Sequence, residues 1–98
     1  MALKIKWNKK AIAQLDAGIQ FIENDSIISA EKVKKDILLN IDALTKHPEK
    51  YNTDKYKTQN DATYRAFEIH QYRIAYRYKT TEIRIIRIRH TKMNPSKY

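Results

Sequence analysis

The sequence predicts an α+β fold: an N-terminal strand and a helical hairpin packed on one face of a mainly antiparallel sheet, which a C-terminal three-strand meander completes. Three observations carry this expectation. Between Tyr64 and His90 lie three short runs, Tyr64–Ile69, Tyr72–Tyr78 and Glu82–His90, rich in β-branched and aromatic residues and separated by brief polar breaks. Consecutive antiparallel strands have this appearance. Ahead of them, two stretches repeat apolar residues at steps of three and four, the helical period. At the start, Leu3, Ile5 and Trp7 alternate with Lys4 and Lys6, the period-2 signature of a half-buried strand. Ninety-eight residues suffice for one small domain with a modest core, and we read 1–98 as a single domain.

Asn8 follows the first strand as a candidate helix N-cap, and Ile12, Leu15, Ile19 and Ile22, with Ala11 and Gly18 near the same stripe, predict a helix from about Lys9 to Asn24. The polar break Asn24-Asp25-Ser26 offers capping groups to a second helix. Its stripe is Ala30, Val33, Ile37, Ile41 and Leu44, with Leu38 beside it, and it runs to about Lys46. His47-Pro48 ends it, because proline disfavours a helical conformation in the residue before it. Each helix presents one apolar stripe and needs a surface to cover, which the apolar sheet face supplies.

From Glu49 to Thr63 the periodicity dissolves into Tyr51, Asn52, Asp54, Tyr56, Gln59, Asn60 and Asp61, read as a surface connection. In the last strand Ile83 and Ile85 share one face while Ile86 and Ile88 share the other. Either a bulge intervenes near Ile85-Ile86 or the strand is central, with both faces covered. Thr91 to Tyr98 is a polar tail in which Pro95 bars simple continuation of the strand.

In the meander nearly every second residue is Arg, Lys or His, so one sheet face should be strongly cationic. Residues 62–98 carry nine Lys and Arg against Glu68 and Glu82, a net of +7 within a whole-chain charge of +9. Such a field favours a polyanionic partner, either nucleic acid or an acidic protein segment. Arg65, Arg73, Arg77, Arg87, Arg89 and Lys92 are the candidate target-binding residues. Other chemistry is poorly provided for. There is no cysteine, the histidines His47, His70 and His90 lie on different elements, and Gly18 is the sole glycine, so neither a metal site nor a glycine-rich phosphate loop is expected. No cofactor is expected. No long apolar run or leader pattern is visible, which predicts a cytoplasmic protein without a membrane partner.

What remains is binding, or metal-free chemistry, on a phosphate backbone. Cleaving RNA with its own 2′-hydroxyl needs a proton acceptor, cations for the charged phosphorane and a donor to the leaving oxygen. Arg65 and Arg73 supply cations that hold a phosphate, Lys92 adds charge, and His90 or Tyr98 handles protons. The same residues also read as surface cations, a strand-end histidine and a frayed terminus. Strand parity separates two of them. Arg65 shares a side with Phe67 and Ile69, whereas Arg73 lies opposite the Tyr72, Ile74, Tyr76, Tyr78 set.

The order of elements resembles the RelE/ParE superfamily, the toxins of type II toxin-antitoxin modules also known as the plasmid stabilisation family. The likeness covers nearly the whole chain. It rests on Trp7, the hairpin residues Ala11, Leu15, Ile19, Ile22 and Ala30, then Leu44 and Pro48, the strand Tyr72-Arg73-Ile74-Ala75-Tyr76, and Ile86 to His90 with a basic tail. The resemblance implies a growth inhibitor paired with a cognate antitoxin, usually acidic or partly disordered, in some cases within a higher-order complex. It also implies one of two targets: DNA gyrase for ParE-like members, or messenger RNA on the ribosome for RelE-like mRNA interferases. Arg73, Lys92 and Tyr98 match the cleavage-associated positions of the RelE-like group, with His90 beside them. Arg65 and Phe67 stand where that group carries two lysines spaced by one residue. With one cationic group missing and a long hairpin, the resemblance leans to ParE-like gyrase inhibition, with metal-independent, ribosome-dependent mRNA cleavage as the alternative. Cleavage requires Arg73, Lys92 and Tyr98 to converge on one phosphate.

Overall fold

The six expected elements form in the expected order: β1 (Lys4–Trp7), α1 (Lys9–Glu23), α2 (Ile27–Ala43), β2 (Tyr64–Ile69), β3 (Tyr72–Lys79) and β4 (Glu82–His90). The computed structural model describes residues 3–94 and 96–98, so the expectation for Pro95 lies outside the described residues. Asn8 precedes α1 in an extended conformation, yet its side chain makes no cap; Oδ1 accepts instead from Arg84 Nη1 at 3.2 Å. Ser26 does cap α2, accepting from the Ser29 N–H at 3.1 Å. That helix ends at Ala43, short of Lys46. Its last turn tightens, with the Lys46 N–H donating to Ala43 O at 3.2 Å, as the chain prepares for Pro48. Among the described residues no helix is long and apolar enough to cross a membrane.

The sheet has the order β1-β4-β3-β2, with β1 parallel to β4 and the remaining pairs antiparallel. Thus β4 is a central strand, and it also carries the bulge. Tyr76 pairs with Ile85 while Ala75 pairs with Arg87, which leaves Ile86 as the extra residue. The insertion shifts parity by one, so Ile83, Ile85 and Ile88 all reach the helical side and Arg87 is sent with Ala75 to the other face.

Ala11, Leu15 and Ile19 of α1 and Ile37 and Ile41 of α2 are buried with Ile74, Tyr76, Ile83, Ile85 and Ile88 of the sheet. Each large aliphatic side chain so buried stabilises the fold by about 1.5–3 kcal/mol. Gly18 lets α1 come close to β3, since a Cβ there would lie 3.0 Å from the Tyr72 hydroxyl. Tyr76 is fully buried and donates its hydroxyl to Pro48 O at 2.8 Å, tying the end of the helical layer to the sheet. Burial pushes its phenol up to about 12.

The segment expected to be a mere surface connection does more. The Ala66 N–H donates to Asn52 O at 3.3 Å, the Asp54 N–H donates to Tyr64 O at 2.8 Å, and Thr53 bridges Arg65. These bonds cover the outer edge of β2, which would otherwise offer unpaired backbone groups. Asp54 is buried. A single buried residue in coil produces no repeat, so periodicity could not reveal it.

The β2–β3 turn places His70 and Gln71 at φ 50° and 65°, the left-handed region that Asn-Gly usually fills in such hairpins. His70 Nε2 sits 2.7 Å from Asp36 Oδ2 and so pins this turn to α2. Gln71→Gly relieves the backbone strain. We expect it to raise stability by about 0.5–1 kcal/mol, measured as a higher urea midpoint at unchanged m-value.

Candidate functional site on the outer sheet face

Away from the helices, β3 and β4 present Arg73 and Arg77 beside Arg84, Arg87 and Arg89. Arg73 stands directly opposite Arg89, and Arg77 opposite Arg84. Like charges so placed repel, and the meander holds few acids to offset them. Counter-charges and acceptors arrive from β2, from the segment before it and from the tail. Arg73 pairs through Nη2 with Asp54 Oδ1 at 2.9 Å and through Nη1 with Glu68 Oε2 at 3.0 Å. Arg77 bonds Thr63 Oγ1 at 2.9 Å and Asp61 Oδ2 at 3.3 Å, and Arg84 bonds Glu82 at 3.1 Å. Arg87 donates to Ser96 O and Oγ at 2.6 and 3.0 Å, and Arg89 to Asn94 O at 3.3 Å. Aromatic rings complete the layer: Tyr56 lies 4.8 Å from the Arg73 guanidinium, Tyr64 4.6 Å from that of Arg77, and Tyr98 4.0 Å from that of Arg87.

Asp54 is the centre of this arrangement. Its Oδ1 also accepts the Tyr56 N–H at 3.0 Å, and its Oδ2 accepts the Tyr98 hydroxyl at 2.5 Å. Burial by itself would raise its pKa, but the bonds from Tyr98, Arg73 and the Tyr56 N–H outweigh burial and hold the carboxyl below its usual value. Burial, together with the Asp54 charge, pushes the Tyr98 phenol well up, so its proton stays in place. Burial works against the charged Arg73, yet Asp54 and then Glu68 more than compensate. At Arg87 burial prevails and lowers the pKa, with Arg89 and Arg73 adding repulsion. Arg73 Nε is buried without a hydrogen-bond partner among the described residues.

The expected site residues therefore divide. Arg73, Arg87 and Tyr98 meet around Asp54, with Arg89 alongside and Arg77 further along the same face. Tyr98 is firmly held, since its N–H donates to Tyr56 O at 3.0 Å and its carbonyl accepts from Thr58 N and Oγ1 at 2.6 and 2.8 Å. Arg65 follows its strand parity to the helical side, where Nη1 donates to Tyr51 O at 2.6 Å. Lys92 lines an adjoining, largely apolar groove of about 600 Å³ with Gly18, Phe21, Tyr72 and Met93, while His90 and Arg89 line both this groove and the cavity beside Arg73. There the Lys92 N–H donates to His90 Nδ1 at 3.1 Å, and the His90 ring stands edge-on to Tyr72 at 5.0 Å. Asp54 is the residue that sequence reasoning missed. The available signal was the charge imbalance: a strand face carrying so many arginines needs acids from elsewhere, and Asp54 and Asp61 are nearby in the chain.

Tyr98→Phe keeps the ring on Arg87 but removes the hydroxyl bond to Asp54, and we expect a loss of about 1.5–3 kcal/mol in urea unfolding. The pH dependence follows from the depressed carboxyl. Its folded pKa lies below the ordinary 3.8, so its stabilisation is complete above that value and is lost as pH falls toward the folded pKa. Removing one of the bonds that depress it should shift the acid-unfolding midpoint of Tyr98→Phe to higher pH, followed by circular dichroism.

Residues 5–95 match the family described as ParE toxin of type II toxin-antitoxin system, parDE. Among curated proteins none matches the sequence. Several solved structures share the fold, among them two toxin-antitoxin complexes. One is the chromosomal ParDE toxin-antitoxin system from P. aeruginosa, at 22% identity and a TM-score of 0.71, covering 93% of this chain and 98% of that one. The other is the toxin-antitoxin complex RelBE2 from Mycobacterium tuberculosis, at 15% identity and a TM-score of 0.57, covering 92% and 99%. With the family matched from β1 to beyond β4 and the same architecture in both structures, this chain belongs to the ParE toxin family of type II toxin-antitoxin systems.

Proposed function

We propose that this toxin acts in the ParE manner, by binding and inhibiting DNA gyrase, and that a cognate antitoxin neutralises it. One observation carries the choice of mechanism: the Arg73 guanidinium is already paired with Asp54 and Glu68. A phosphate clamp needs a cation free to meet developing charge, and this one is neutralised from within. Two further facts support the reading. The Tyr98 hydroxyl is donated to Asp54, and Lys92 lines a groove against α1 rather than the cavity that Arg73 lines. Surface for a protein target is available on the hairpin, where Phe21, Ile27 and Ile28 are 70%, 66% and 81% exposed. A second reading, RelE-like mRNA cleavage, draws support from the grouping of Arg73, Arg87 and Tyr98 in one cluster.

A pulse of expression without antitoxin separates the two. Gyrase inhibition stops DNA synthesis while translation initially continues, and purified toxin then blocks supercoiling by gyrase in vitro. Early collapse of translation, with messages cut within ribosomes and supercoiling untouched, would establish the cleavage reading instead.

A further inference from the structure

We propose, resting on the binding-inhibitor reading above, that Asp54 is a specificity-determining residue: it occupies, within the chain, the place a phosphate would take between Arg73 and Tyr98, and so withholds this face from nucleic-acid phosphates. The donors that converge on its two oxygens are a guanidinium N–H, a phenol O–H and a backbone N–H. The same set can hold the two non-bridging oxygens of a phosphodiester, which carries the same single negative charge as a carboxylate.

The surroundings are short of anion even with Asp54 present. Arg73, Arg87, Arg89 and His90 line a cavity of about 50 Å³ in which Glu68 is the acid. Three guanidinium groups line it with the Glu68 carboxylate, which is 54% exposed, while Asp54 joins the cluster through Arg73 Nη2. Arg73 Nε has no acceptor among the described residues. Crowding with Arg73 and Arg89 further disfavours the charge on Arg87, a repulsion that one more anion would relieve. Exchanging the Asp54 carboxylate for a neutral group of the same shape raises the net charge of the cluster by one. It also leaves Arg73 Nη2 and the Tyr98 hydroxyl facing no anion, so the uncompensated charge draws a phosphate to the arginines, and truncation to serine vacates the place itself.

The test uses the full chain and a short fluorescein-labelled single-stranded RNA, followed by fluorescence anisotropy across a salt series. Asp54→Asn is expected to bind about tenfold more tightly than the native protein at low salt, with a salt slope steeper by about one. Adding Arg73→Ala to that variant should abolish the gain. Glu68→Gln, which removes an exposed and screened carboxylate, should change affinity by less than about twofold. Thermal melts establish that each variant is folded, and Asp54→Ser, whose hydroxyl still accepts the Tyr56 N–H, serves if the amide does not fold. Equal RNA affinity in the native protein and the folded Asp54 variants overturns the role given to Asp54 and leaves the gyrase reading standing. So does a gain of the same size in Glu68→Gln, or one indifferent to Arg73. Tight binding and cutting of RNA by the native protein overturns both.

Discussion

A carboxylate shut away from water, held by one arginine, sets the order of the whole outer side of this molecule. Pairing Asp54 with Arg73 costs two desolvations, and such pairs add little net stability compared with apolar replacements. Their effect on uniqueness is larger. Removing one partner alone leaves a buried charge without its match, at a cost of about 3–5 kcal/mol, so the segment from Asn52 to Tyr56 has one place to sit. From that place the Tyr56 ring reaches Arg73, the Tyr56 carbonyl receives the Tyr98 N–H, and the Tyr98 ring comes to rest on Arg87. Ala66 and Ala75, opposite each other on the same face, are buried, which marks how closely this layer covers the strands.

The helical side obeys different physics. There the stabilisation is apolar burial, and specificity comes from shape: Gly18 against the Tyr72 ring, and a bulge at Ile86 that keeps Ile88 in line with Ile83 and Ile85. The bulge serves both faces at once. By shifting parity it delivers an isoleucine to the core and turns Arg87 toward Tyr98, so hydrophobic and ionic layers are built from one strand without either burying the wrong residue.

Satisfying the arginines internally changes what the positive charge is for. Arg73, Arg77 and Arg84 are matched by acids, whereas Arg87 and Arg89 bond neutral carbonyl and hydroxyl oxygens. The field of the C-terminal half persists and favours acidic partners, while Arg73 is matched within the chain by Asp54 and Glu68.

Much of this was legible in the sequence. Alternation marked β1, β2 and β3, three- and four-residue steps marked both helices, the double isoleucine parity break in β4 marked either a bulge or a central strand, and strand parity alone sent Arg65 and Arg73 to opposite faces. The Tyr-Arg strand and the spacing of the elements carried the family. These signals are local or periodic, and they follow from the repeat of the backbone itself. Tertiary structure alone decided that Asp54 is buried, that residue 98 is clamped by Tyr56 and Thr58, and that Lys92 lines a groove against α1 while the Tyr98 ring rests on Arg87. Each depends on a contact between coil segments far apart in the chain. Such contacts repeat with no period, and the energy that selects them comes from excluding water around a charge, which exists only once the sheet is in place.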